Sequence, residues 1–155
     1  IENGNYIVVH PGMMGSALNW PQKKYIDYIS RLINQGEKVV ITGTDADTPY
    51  LLEIRRAFAE STQVIWLQSK LNFTELIQVL YFSQRVVAPS TGVAHIAASL
   101  DKKVDCIFSP IRVHHPTRWA PRGPHVFIHL PPENSYSEEN LKHKDYRFME
   151  RIEIP

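Results

Sequence analysis

Two short stretches hold the residues best suited to chemistry. In Ala88-Pro89-Ser90-Thr91-Gly92-Val93-Ala94-His95, two hydroxyls and a glycine precede an Ala-rich run that ends at Leu100. Ser90 and Thr91 are natural helix N-caps, but a cap uses only one such residue. A helix opening here presents unpaired amides with roughly half a positive charge, which suits a diphosphate. His95 falls one turn inside that helix, where it either faces the anion or packs half-buried with a bond to a backbone carbonyl. The other stretch is His10-Pro11-Gly12-Met13-Met14-Gly15-Ser16. Its glycines allow a tight bend and Ser16 adds a hydroxyl that could reach the same anion. It is neither the G-x-G-x-x-G fingerprint nor a phosphate loop ending in Gly-Lys-Ser/Thr. Alone, it reads equally well as a plain turn.

A third stretch is marked by composition. Six of the 11 prolines lie between Pro110 and Pro132, and residues 106–132 contain no acid but include Arg112, Arg118, Arg122 and four histidines. The arginines are candidate anion contacts or simply a solvated loop. His114 and His115 suggest a metal, yet neighbouring side chains point apart and no Asp, Glu or Cys at ligand spacing completes a set. The expectation is therefore no metal site. A serine hydrolase is not assembled either, because the G-x-S-x-G elbow is absent. Cys106, the single cysteine, lies in the apolar run VDCIF and reads as a small buried hydrophobe.

These stretches need a scaffold, and the hydrophobic pattern supplies one. Short β-branched runs at 6–10, 38–42, 63–67, 85–88, 104–108 and 125–130 have strand length. Helical spacing appears between the first five, at 23–34, 50–60, 74–82 and 93–100. Strict alternation predicts right-handed βαβ units and an α/β fold: a Rossmann-like, doubly wound parallel sheet of strand order 3-2-1-4-5-6. Chain direction then reverses between the first and fourth strands, and ligands in such sheets bind beyond the carboxyl ends at that crevice. The loops there are residues 11–20 and 89–92, where the chemistry-bearing residues lie.

At 155 residues and 17.9 kDa the chain is one domain in size. We expect the Rossmann-like unit to occupy residues 1–132. Residues 133–155 form a polar segment and short helix that pack on it or lead to a further domain. Charge is nearly balanced at +1, which disfavours a general nucleic-acid binder. No run approaches the ~18–20 apolar residues of a membrane span. The start at Ile1, with no basic-then-apolar pattern, reads as a piece of a longer cytosolic protein.

The stretch around Ser90-Thr91-Gly92 and His95-Ile96-Ala97-Ala98-Ser99-Leu100 resembles the D/S-T-G-x-x-H-x-A-A-x-L signature of glycosyltransferase family 9, the bacterial lipopolysaccharide heptosyltransferases and their relatives. His-Pro-Gly at 10–12 and Asn19-Trp20-Pro21 are similar to the family's first loop and helix start. Residues 41–47 (ITGTDAD), Phe108-Ser109-Pro110 with Arg118-Trp119-Ala120-Pro121, and Phe148–Ile152 continue the likeness in order over roughly residues 6–155, the last resembling a late helix.

The resemblance implies the C-terminal, donor-binding half of a GT-B enzyme, in which two Rossmann-like domains face each other. The implied reaction is inverting transfer of heptose or a related sugar from a nucleoside-diphosphate sugar, possible donors including ADP-heptose, to a bacterial surface glycan, without a metal cofactor. The acceptor glycolipid and catalytic base would belong to the other domain, leaving this one inactive alone. The location implied is cytoplasmic, with peripheral association at the inner membrane face. Carried over by position, Ser90, Thr91, Gly92 and His95 hold the diphosphate, Gly15 and Ser16 approach it from the opposite loop, and Leu71 packs by the base. Asp47, or Asp45 if the loops differ in length, accepts from the ribose diol; both also suit helix capping. Two positions depart from the pattern: Ser90 where aspartate is common, and Leu18 where lysine is common. Arg112, Arg118 or Arg122 is the candidate replacement for that lost cation, and the sugar, base and acceptor stay open. Competing readings are a non-hydrolysing nucleotide-sugar epimerase and a non-catalytic nucleotide-sugar-binding module.

Overall fold

The computed structural model describes residues 4–155. Six parallel strands form one sheet: β1 (Ile7–Val9), β2 (Val39–Ile41), β3 (Val64–Trp66), β4 (Arg85–Pro89), β5 (Lys103–Ile107) and β6 (Val126–His129). Their order is β3-β2-β1-β4-β5-β6, the expected doubly wound arrangement. Valine and isoleucine dominate because the central strands are covered on both faces. Val8, Val9, Val39, Val40, Ile41, Val86 and Val87 are all fully buried.

The helices are α1 (Gln22–Asn34), α2 (Thr48–Ala57), α3 (Phe73–Tyr81) and α4 (Gly92–Ser99), with short α5 (Pro116–Trp119) and α6 (Glu138–Lys142). Helix α1 buries Tyr25, Tyr28, Ile29 and Leu32, and Gly36 turns the chain away at φ +85°. Helix α2 runs earlier than its periodicity predicts, because Pro49 fits the first turn, where its missing N–H costs nothing. Helix α3 starts on a reciprocal capping box between Asn72 and Glu75. Ala94, Ala97 and Ala98 are buried and let α4 lie close over the sheet.

The two faces have separate cores. One holds α1, Leu51 and Ile54 of α2, and Phe148, Met149, Ile152 and Ile154 of the tail. The other holds Leu80 and the small residues of α4. The tail is anchored by the Trp20 indole N–H, which donates to the Ile152 carbonyl at 3.2 Å. Where the resemblance led us to expect a late helix, the backbone makes a five-residue 3-10 turn, Arg147–Arg151.

A polar ladder that the sequence did not suggest crosses β4, β5 and β6. The buried Asp105 carboxylate accepts from the Arg85 guanidinium on one side and pairs with His129 Nε2 at 2.7 Å on the other. Burial works against the charge, but these partners outweigh it and hold the carboxyl below its ordinary value. Cys106 beside it is fully buried; burial pushes the thiol up to about 12, so it is an inert core residue.

Candidate functional site

The loops leaving the carboxyl ends of β1, β2, β3 and β4 enclose a cleft of about 500 Å³, lined by His10, Gly12, Met13, Met14, Ser16, Thr42, Gly43, Thr44, Asp47, Leu71, Leu76, Thr91, Gly92, Val93 and Ile96. A second cleft of about 360 Å³ adjoins it, lined by Ser16, Ala17, Ser90, Thr91, Gly92, His95, Val113, His114 and Trp119. Ser16, Thr91 and Gly92 line both, so the two clefts meet over the N-terminus of α4.

That N-terminus is open. Thr91 stands at the N-cap position, yet its side chain makes no capping bond, and its Oγ1 is buried without a partner. An unpaired buried hydroxyl costs stability, so this one is unusual. A Cβ built on Gly92 would meet nothing within 4 Å. Packing therefore does not demand a glycine there; its effect is to leave space above the helix amides.

The opposite loop is a tight turn. Met14 and Gly15 have φ +50° and +73°, and the Ser16 amide donates to the Met13 carbonyl at 3.0 Å. Successive positive φ values mark a type I′ turn. The Ser16 hydroxyl also donates to Met13 O, at 2.8 Å, so its proton closes the turn and only its lone pairs face outward. Gly15 shapes this turn but lines neither cleft.

Asp47 pins the floor. Its Oδ1 accepts from the Met14 amide at 3.2 Å, and its Oδ2 accepts from the Thr44 amide and hydroxyl, both at 2.9 Å. Burial opposes ionisation, but these bonds win and keep the carboxyl below its ordinary value. A Cβ on Gly12 would lie 2.1 Å from Asp47 Cγ, so only glycine lets the carboxylate sit there. Asp45 is exposed and bonds the Ser69 hydroxyl instead. His10 closes the floor, its Nδ1 2.9 Å from Thr42 Oγ1. Burial lowers its pKa to about 4, against the opposing pull of Asp47, so the ring is neutral.

Of the residues expected from sequence, Ser16, Asp47, Leu71, Thr91 and Gly92 converge on the first cleft, and Ser90 and His95 on the second. Leu71, Leu76, Val93 and Ile96 make the apolar wall of the first. Arg112 and Arg118 line neither cleft; both are exposed, and Arg118 lies over the Trp119 ring at 5.7 Å. From the same segment it is Val113, His114 and Trp119 that turn inward. The two adjacent histidines do diverge. His115 caps α5 through Thr117, whereas His114 Nδ1 is buried without a partner. Sequence reasoning also passed over His10, Thr42 and Thr44. A polar residue ending an apolar strand run was the available signal for the first two. Among the described residues, no three His, Cys, Asp or Glu side chains come together as metal ligands, and no helix is long and apolar enough to cross a membrane.

Similarity to known proteins converges on one group. The chain is 31% identical over 98 residues to lipooligosaccharide heptosyltransferase 2 of Haemophilus influenzae, an alignment covering 62% of this chain and 28% of that protein. The chain thus aligns with under a third of that relative's length. Its fold superimposes on E. coli heptosyltransferase WaaC with ADP at a TM-score of 0.74 and 18% identity, covering 95% of this chain and 45% of WaaC. For WaaC with ADP-2-deoxy-2-fluoro heptose the values are 0.70 and 20%, covering 86% and 39%. These likenesses show the shared Rossmann-like fold. Residues 2–145 match glycosyltransferase family 9 (heptosyltransferase), and the chain belongs to that family.

Proposed function

We propose that this chain is the donor-binding, carboxyl-side half of an inverting glycosyltransferase that binds a nucleoside-diphosphate sugar across the two clefts. The observation that carries the reading is the meeting of both clefts over an open helix N-terminus, beside the orphaned Thr91 hydroxyl. A diphosphate placed over Ser16, Thr91 and Gly92 would accept from the α4 amides and from Thr91. The apolar wall of the first cleft suits a nucleobase. Asp47 already holds three bonds, and a carboxylate has about four lone-pair sites, so one ribose hydroxyl could still be accepted. Helix amides and hydroxyls would neutralise the diphosphate without a metal. WaaC, with ADP and an ADP-heptose analogue, makes ADP-heptose the first donor to try.

Transfer requires a base within hydrogen-bond reach of the acceptor hydroxyl. Among the described residues, Asp47 is the only carboxylate lining either cleft, and its bonds to Thr44 and Met14 commit it to the floor. In this reading the base and the glycolipid acceptor site belong to the facing domain of a two-domain enzyme. The whole enzyme then works in the cytoplasm, at the inner face of the membrane, in surface glycan synthesis. An epimerase would need a carboxylate at the sugar end, and among the described residues none lines the second cleft.

Calorimetric titration of the chain with ADP, UDP and GDP and their sugars tests the reading. Saturable binding of at least one nucleoside diphosphate is expected. Absence of binding to all of them would overturn it.

A further inference from the structure

The second cleft makes a finer assignment, which rests on the proposed donor reading. We infer that Trp119 and His114, from the segment between β5 and β6, recognise the sugar ring of the donor and determine which sugar is accepted. Four observations converge. The clefts share Ser16, Thr91 and Gly92, so a ligand with its diphosphate over those residues sends its two ends into different clefts. The first has the apolar wall for a base, which leaves the sugar for the second. Among the described residues, no carboxylate, lysine or arginine lines that cleft. Its hydroxyls, imidazoles and indole match the hydroxylated end of the donor. At about 360 Å³ it lies near the lower end of ligand clefts, roughly 300–1,000 Å³, and suits one ring rather than a glycan chain.

The side chains supply what a sugar needs. Trp119 is 50% exposed, and its indole N–H is held by the Val113 carbonyl at 2.9 Å, which fixes the ring plane. A fixed, half-exposed aromatic ring offers an apolar surface to the C–H face of a pyranose. His114 Nδ1 and Thr91 Oγ1 are buried polar atoms without partners, contributed by different elements to the same cleft. A sugar hydroxyl both donates and accepts, so it can pair with either. Ser90, just before α4, and His95, within it, add two further polar groups to the lining.

Each nucleoside diphosphate and its sugar form the paired probes: ADP with ADP-heptose, UDP with UDP-glucose, and GDP with GDP-mannose. In the parent chain one sugar should bind at least tenfold tighter than its own diphosphate. Trp119→Ala and, separately, His114→Ala should reduce that ratio to within threefold of unity while changing diphosphate affinity less than twofold. Retained diphosphate binding also shows that each variant is folded. A ratio unchanged in both variants overturns the inference and leaves the donor reading standing. So does equal loss of diphosphate and sugar, which would make the segment a support for the site. A parent chain that binds diphosphate and sugar equally also overturns the inference alone. Absence of any diphosphate binding removes the donor reading itself, and the inference with it.

Discussion

The Thr91 hydroxyl is buried and unpaired in the free chain, so removing it should act with opposite signs on folding and binding. Thr91→Val keeps the shape while deleting the orphaned group. Stability by urea denaturation should be unchanged or raised by about 1 kcal/mol, whereas diphosphate affinity should fall by about 1–2 kcal/mol. Lower stability with unchanged affinity would contradict the role assigned to this hydroxyl. Gly12 and Asp47 make a second residue-level pair. Gly12→Ala should destabilise by more than about 2 kcal/mol, because its methyl group would overlap the Asp47 carboxylate. In an Asp47→Ala background the obstructing atoms are gone, so the same substitution should cost at least about 1 kcal/mol less. A double-mutant cycle reads this coupling directly, and additive effects would refute it.

At the scale of elements, the segment from β5 to β6 has an inward and an outward side. His114 and Trp119 reach the cleft, whereas Arg112 and Arg118 lie in solvent. Arg112→Ala and Arg118→Ala should each leave nucleoside diphosphate affinity within twofold of the parent. A tenfold loss by calorimetry would restore the arginines as anion contacts. The turn at Met13–Ser16 is equally specific. Met14 adopts φ +50°, which a side chain disfavours by roughly 1–2 kcal/mol. Met14→Gly should therefore not destabilise the chain. Gly15→Ala should, because it forces a side chain into φ +73° with the Tyr50 hydroxyl only 3.2 Å from the new Cβ. The shared Asp47–Met14 bond means that distortion here is felt across the cleft floor.

Over the whole molecule, buried titratable groups make stability depend on pH. Burial depresses His10 to about 4, so between about pH 6.5 and 4 the unfolded chain binds a proton that the folded chain excludes. Stability contributed by the neutral ring is complete above pH 6.5 and is lost as pH falls through that window. The shift corresponds to about 3 kcal/mol. Asp47 and Asp105, both held below their ordinary values, add a further loss once pH falls below about 4. His10→Asn should flatten the urea-denaturation profile between pH 6.5 and 4 while leaving the loss below pH 4. An equally steep profile in that variant would show that His10 is not the group responsible.

Much of this architecture was legible in the amino-acid order. Alternating β-branched runs and helical spacings require βαβ units, and the handedness of those units predicts both the strand order and the crevice between β1 and β4. Hence Thr91, Gly92 and Ser16 could be expected around one cleft before any coordinates, and the family resemblance added Leu71. Local pattern also foretold that His114 and His115 would diverge. Tertiary structure decided the roles. It committed Asp47 to Thr44 and Met14, spent the Ser16 proton inside its own turn, and left Thr91 Oγ1 unpaired. It also selected Val113, His114 and Trp119 over the arginines of the same Pro-rich segment, and assembled the Arg85–Asp105–His129 ladder from three strands. The physical reason is one of range. Regular elements carry a period of 2 or 3.6 residues that marks their buried side, so sequence alone can orient them. An irregular loop has no period, and the direction of each side chain depends on partners supplied by distant parts of the chain.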